Sequence, residues 1–132
     1  MEAWTIVSNA ALGPLRLGEA LTACEAVIGR ASDSFKRVPE SSETVFVYRE
    51  EAVHITVDSN AYVVELSAFQ PRHVTLAKVQ LLGRSLRDVA EELSVAKVDS
   101  EPIDVGLYCP EAGVALVEVE SLVDAVELRR VG

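Results

Sequence analysis

The chain has 132 residues, of which 49% are hydrophobic and 25% charged, and its formal net charge is −9. This length fits one domain, here taken as residues 1–132, and the apolar content excludes a disordered chain. The excess of acids argues against nucleic acid and anionic membranes as partners, because lysine and arginine bind both.

The N-terminal stretch "MEAWTIVSNAAL" has an acid at position 2 and no basic start. It therefore does not have the pattern of a signal peptide, and we expect a cytoplasmic protein. Cys24 and Cys109 belong to no Cys-x-x-Cys pair and no Cys/His cluster. We expect both to be buried structural residues, with no disulfide framework, no metal site and no cofactor.

The first predicted helix follows an apolar stripe of helical period, with Gly18 as its N-cap and Gly29 at its end. The stripe consists of Leu17, Leu21, Cys24 and Ile28. A polar loop leads to three strand-like runs separated by short polar turns, which is typical of an antiparallel meander. These runs cover residues 44–48, 52–57 and 62–69.

The same order recurs after a connector at residues 70–80. A second stripe contains Leu82, Leu86, Val89 and Leu93, and strand-like runs follow at 103–108, 113–119 and 123–130. "LGEAL" matches "LGRSL", and "VVEL" matches "AVEL". The sequence therefore predicts an α+β fold of two helix-strand-strand-strand repeats, about 12–69 and about 81–131. We expect them to form one antiparallel sheet with both helices packed on one face.

The entry "GPLRLGEAL" into a short helix and a strand meander, all duplicated, resembles the β-lactamase-inhibitor-protein-like fold. "VQLLGRSLRDVAEEL" followed by "VGLYCPEAG" is similar to a family of small actinobacterial proteins. The resemblance implies that the open sheet face is a binding surface. In two respects the chain differs: Glu19 stands where many relatives have Met, and the intra-unit disulfides and secretion signal of the inhibitors are missing.

Strand alternation assigns one set of side chains, such as Val45 and Val47, to the face under the helices. The other face carries aromatic and acidic residues, which favour protein binding. An ordinary solvated face is the alternative. Our candidate binding residues are Phe46, Tyr48, His54, Glu65, Phe69, Asp104, Tyr108 and Glu127. We expect Tyr48 to correspond to Tyr108 and Glu65 to Glu127 in the two repeats.

The function predicted from these features is a non-enzymatic protein-binding module. Its sharper form is a cytoplasmic immunity or inhibitor protein that binds a basic partner, since an anionic inhibitor associates quickly with a cationic target. No nucleophile or metal-ligand set accompanies Glu65 and Glu127, so catalysis is not predicted. The alternatives are a structural homodimer and a small-molecule-binding or hydrolytic domain that uses the open sheet face.

Overall fold

A computed structural model describes residues 2–130, in which strands outnumber helices. Their bounds are β1 Trp4–Val7, β2 Ala11–Leu12, β3 Leu15–Arg16, α1 Leu21–Ile28, β4 Asp33–Phe35, β5 Thr44–Tyr48, β6 Val53–Val57, β7 Val63–Phe69, β8 Val74–Leu76, β9 Val79–Gln80, α2 Leu86–Val95, β10 Glu101–Ile103, β11 Gly106–Cys109, β12 Val114–Val119 and β13 Leu122–Arg129. They form two sheets.

The larger sheet has eight strands in the order β10-β11-β12-β13-β7-β6-β5-β4. Each half is a meander of four strands that follows one helix along the chain. The halves meet where β7 and β13 pair antiparallel, with Leu66 opposite Leu128. Because β7 and β13 each give one edge to this central pairing, only the short strands β4 and β10 remain as sheet edges.

The smaller sheet has five strands in the order β3-β2-β1-β8-β9. The N-terminal segment and the supposed connector build it together, through the parallel pairing of β1 with β8. Each helix is thus preceded by a tight hairpin, β2–β3 before α1 and β8–β9 before α2. Gly13, in the first hairpin, has a φ of 57°, and an added Cβ would lie 2.4 Å from the Trp4 ring.

The predicted α+β fold, with two helices packed on one face of a single sheet, is wrong. The chain is mostly strand and has two sheets, with helices of only eight and ten residues. Strands of two or three residues, such as β2 and β9, are too short to produce a visible alternation. A further missed strand, β4, lies inside the segment that the composition predicts to be a polar loop.

The two helices begin differently. Helix α1 starts after Ala20, which provides no side-chain cap, so the predicted start at Gly18 is wrong. Helix α2 starts after Ser85, whose Oγ accepts a hydrogen bond from the backbone N–H of Asp88 at 3.4 Å. Ala20 and Ser85 occupy corresponding places in the two halves. Ala20 forms an isolated bridge to the residue just after the β6–β7 turn, and Ser85 forms one to the residue just after the β12–β13 turn.

The core is aliphatic and lies under the helix side of the large sheet, where Leu66, Leu116 and Leu128 are fully buried. Trp4 is also buried, with the guanidinium carbon of Arg72 3.5 Å from its ring centroid. Trp4 is thus a packing residue. Neither helix in residues 2–130 has the length and apolar character needed to cross a membrane.

Candidate functional site

The side of the large sheet away from the helices carries the candidate site, and we call it the open face. Cross-strand pairing places six of its residues in one row from β5 to β11. In order, they are Val47, His54, Ser67, Glu127, Ala115 and Tyr108. A neighbouring row contains Val45, Thr56, Glu65 and Arg129.

Five of the eight candidate binding residues lie on this face: His54, Glu65, Phe69, Tyr108 and Glu127. Phe46 and Tyr48 do not, because they pair with Ile55 and Val53 and point toward the core. Tyr48 is only 3% exposed. Strand β5 reads "TVFVY", which contains an apolar residue at nearly every position. The sequence pattern therefore does not show which of these side chains face the core. The larger side chains face the α1 side of the sheet.

Asp104 is also misplaced by the sequence prediction. The run at residues 103–108 is two strands rather than one, because the chain turns between β10 and β11. Asp104 sits in this exposed turn and not on the open face. The turn brings β11 close to β12: a Cβ added at Gly106 would lie 2.1 Å from the Leu116 carbonyl oxygen. Only glycine fits there.

The two expected equivalences between the halves are wrong as well. A β-bulge interrupts β6 between Thr56 and Val57, and the corresponding bulge interrupts β12 between Val117 and Glu118. Aligned on these bulges, Tyr48 corresponds to Cys109. Glu127 corresponds to Ser67, because each comes directly after a core residue, and these two core residues pair with corresponding positions of β12 and β6.

An ion-pair cluster crosses the open face and involves the β4–β5 loop. The Glu65 carboxylate accepts hydrogen bonds from Arg37 Nη1 and Arg129 Nη2, both at 3.2 Å. Arg129 also donates to both carboxylate oxygens of Glu43, at 2.9 and 3.2 Å. Arg129 lowers the pKa of Glu43, chiefly through its hydrogen bond to this carboxylate. Two guanidinium groups therefore hold Glu65, which is 6% exposed.

Glu127 is different, because it forms no hydrogen bond or salt bridge with any residue in 2–130. It is partly buried, and burial followed by the charge of Glu65 raises its pKa, against the opposing effect of Arg37 and Arg129. A carboxylate that has lost part of its hydration without gaining a donor is an energetic cost. Glu127 thus offers an unused acceptor on the open face.

An aromatic group borders this acceptor. The His54 ring lies between Phe69, whose centroid is 4.5 Å away, and Phe35, whose centroid is 6.3 Å away in an edge arrangement. Burial, then the charge of Arg37, lowers the pKa of His54, so the neutral imidazole is favoured. Phe35 on β4 is 45% exposed, which leaves an apolar ring in water next to the histidine.

A pocket of about 240 Å³ opens beside the unused carboxylate. Glu65, Glu127 and Tyr108 line it together with Arg129 and Arg130. The sequence prediction missed Arg37 and Glu43, which complete the neighbouring ion-pair cluster. The isolated Phe35 in a polar segment was the one signal that this segment packs on the sheet.

The cysteines are not part of the site. Cys24 and Cys109 are free and fully buried, which confirms the prediction of structural roles. Burial raises the pKa of each thiol to about 11, so neither is a thiolate at neutral pH. Among residues 2–130, no three His, Cys, Asp or Glu side chains are grouped so as to hold a metal ion.

Comparisons with known proteins return no match: no family model, no curated protein and no solved structure is significantly similar to this chain. The resemblance to the β-lactamase-inhibitor-protein-like fold therefore stays a prediction.

Proposed function

We propose that the protein is a non-enzymatic binding module whose open face receives a basic partner protein. The observation that carries the proposal is Glu127, a partly buried carboxylate without a hydrogen-bond donor. A lysine or arginine of the partner, placed over Glu127, would supply the missing donor and counter-charge. A charge pair formed on a partly desolvated face contributes more than one at an exposed rim.

The surroundings of Glu127 suit such a contact. Tyr108 lies two strands away in the same row, and the rings of His54 and Phe69 lie on its other side. Aromatic side chains with a polar tip are enriched in binding surfaces, and partner arginines stack on them. The neighbouring Glu65 already has two guanidinium partners, so the face is pre-organised around one open position.

The overall charge supports a basic partner. With 21 acidic and 12 basic residues, the chain attracts cationic proteins over a distance set by the ionic strength. We propose that the module acts in the cytoplasm as an immunity or inhibitor protein, which blocks its partner by covering it. Fast, salt-dependent association is the kinetic property that such a role requires.

The test is a comparative capture from host lysate with three immobilised proteins: the wild type, Glu127→Gln and Glu91→Gln. Glu127→Gln keeps the side-chain shape and removes the charge. Glu91 is an exposed glutamate on α2 and gives the same charge change away from the open face. We expect a basic protein to be held by the wild type and by Glu91→Gln and to be released by salt. Glu127→Gln should weaken its binding by about tenfold or more.

Equal capture by the two variants would overturn the open face as the partner site. Capture of untagged copies of the bait alone would favour the homodimer instead. For any captured protein, the affinity is then measured with purified components at two salt concentrations. A salt-independent affinity would contradict recognition by charge.

A second candidate function is small-molecule binding or hydrolysis at the same face. It is favoured by the pocket of about 240 Å³, which is lined by Glu65 and Glu127 with Tyr108. Two arginines stabilise the charged form of Glu65, whereas the pKa of Glu127 is raised. Such a difference between two neighbouring carboxyl groups is typical of an acid–base pair. Turnover of chromogenic glycosides or esters that disappears in Glu127→Gln would favour this function over partner binding.

A further inference from the structure

A second pocket, of about 350 Å³, lies on the opposite side of the large sheet from the open face. It is formed where α1 passes over β4 and β5. Its walls include Leu21 and Glu25 of α1, Ser34 of β4, and Phe46 and Tyr48 of β5. This volume is within the range of small-molecule sites, roughly 300 to 1,000 Å³.

One residue that lines the pocket, Tyr48, carries an unsatisfied polar atom. The Tyr48 hydroxyl is buried and has no hydrogen-bond partner among residues 2–130. The pKa of Tyr48 is raised by burial first and then by the negative charge of Glu25, whose carboxylate therefore lies near the hydroxyl. A buried hydroxyl without a partner is costly, since folding removes its water and returns nothing.

Glu25 is the acidic side chain that acts on this hydroxyl. Asp33 also lines the pocket, but its carboxylate is paired with Arg49 at 3.5 Å, and Arg30 is the basic residue in the pocket wall. Arg30 approaches Glu25 only to 3.9 Å and its side chain is 94% exposed. Such a loose exposed pair contributes little, so Glu25 is available to a better-placed cation.

The same positions in the second half of the molecule are apolar. Leu86 stands in the place of Leu21, Ala90 in that of Glu25, and Cys109 in that of Tyr48, while Leu107 replaces Phe46. Cys109 is fully buried and Leu107 nearly so. The fold therefore does not require a hydroxyl or a carboxylate at these positions, and their presence in the first half needs another explanation.

We propose that this pocket binds a small organic cation, an ammonium or amidinium group on a compact apolar body. The cation's N–H group donates to the Tyr48 hydroxyl oxygen and pairs with the Glu25 carboxylate. Its apolar body rests on the Phe46 ring and on Leu21. This site is separate from the partner site, because it lies on the helix side of the sheet.

The test is a titration of the isotope-labelled protein, followed by amide NMR, with three probes of nearly the same shape. Benzamidine is the cation, benzamide its neutral analogue and benzoate the anion. We expect benzamidine to shift the amides of Glu25, Ser34 and Tyr48 saturably, with a dissociation constant on the order of 1 mM for so small a ligand. Benzamide should bind about tenfold more weakly, and benzoate should not bind.

Two variants locate the contact. Glu25→Gln should weaken benzamidine about tenfold, while Glu91→Gln, an exposed helix glutamate with an equally loose arginine neighbour, should leave it unchanged. Tyr48→Phe should fold with undiminished stability, since its hydroxyl is unpaired, yet bind benzamidine about threefold to tenfold more weakly.

Several results would overturn the proposal. They are equal binding of benzamidine and benzamide, shifts that map outside this pocket, no saturable shift within the solubility of benzamidine, or an unchanged affinity in both Glu25→Gln and Tyr48→Phe. Because the two proposed sites lie on opposite sides of the large sheet, shifts confined to the open face would overturn this proposal without contradicting the partner site.

Discussion

The two halves of the large sheet share one plan but differ in what they leave unsatisfied. In the second half, α2 has a serine cap and buries Val89 and Leu93 against the sheet. In the first half, α1 lacks a side-chain cap and buries only Cys24 fully, and a pocket opens beside it. The second half is therefore more completely packed, whereas the first half leaves a pocket and an unsatisfied hydroxyl beside its helix.

The open face has the reverse division. There, Glu127 of the second half is a carboxylate without a hydrogen-bond partner, while Ser67 occupies the corresponding position in the first. The buried Thr56 hydroxyl of the first half also has no partner among residues 2–130. The β4–β5 loop of the first half brings Arg37 and Glu43 over the sheet to Glu65 and Arg129. The unpaired carboxylate of the open face thus belongs to the second half, whereas the pocket beside the helix belongs to the first.

The largest expected effect comes from truncating the corresponding helix residues Leu93 and Ile28. Leu93 is fully buried, so Leu93→Ala should reduce the free energy of unfolding by about 3 kcal/mol. Ile28 is only partly buried, and Ile28→Ala should cost about 1 kcal/mol. Urea denaturation measures both values. Equal losses would mean that α1 packs as tightly as α2 and that the two halves do not differ.

A smaller effect is expected from the helix caps. Ser85→Ala removes the hydrogen bond to the Asp88 N–H and should cost about 1 kcal/mol of stability. Ala20→Ser transplants this cap to α1, where the backbone of Ala20 is already extended, and should add about 0.5 kcal/mol. Thermal unfolding of both variants provides the measurement. A loss of stability in Ala20→Ser would indicate that α1 cannot accept the cap of its counterpart.

The smallest expected effect is a pH-dependent one at Glu127. Its raised pKa means that the folded chain favours the protonated carboxyl. This contribution to stability is complete below the ordinary glutamate pKa and is lost as the pH rises through the raised value. Glu127→Gln should therefore be more stable than the wild type at neutral pH, by about 0.5 kcal/mol for a partly buried group.

The difference between Glu127→Gln and the wild type should disappear in mild acid, where the carboxyl is protonated in both states. Glu101→Gln is the matched control, because Glu101 is the exposed edge residue opposite Tyr108 in the same sheet. It should change stability equally little at both pH values. Destabilisation by Glu127→Gln at neutral pH would reveal a partner for this carboxylate.

Several features were predictable from the sequence because they rest on clear periodicity. The meander at residues 44–69 and the buried cysteines are examples, and so is the placement of His54 and Glu65 on the open face. "AVHITV" alternates cleanly, whereas "TVFVY" does not, and Tyr48 was therefore assigned to the wrong face of the sheet.

Other features depend on pairing that a single sequence does not reveal. The small sheet requires β1 to find β8, about half the chain away, through a short parallel contact. The correspondence of Glu127 with Ser67 depends on two bulges, which shift the register of β6 and β12. One inserted residue changes every later match, so the repeated "VEL" letters were misleading.

The most direct test of the account is the pKa of Glu127, measured by carbon-13 NMR of its side-chain carboxyl across a pH titration. We expect a pKa above the ordinary glutamate value of about 4.3, and a lower one in Glu65→Gln, where the neighbouring negative charge is removed. A pKa at or below the ordinary value would contradict the account, because it would mean that Glu127 already has a donor and offers no open position to a cationic partner.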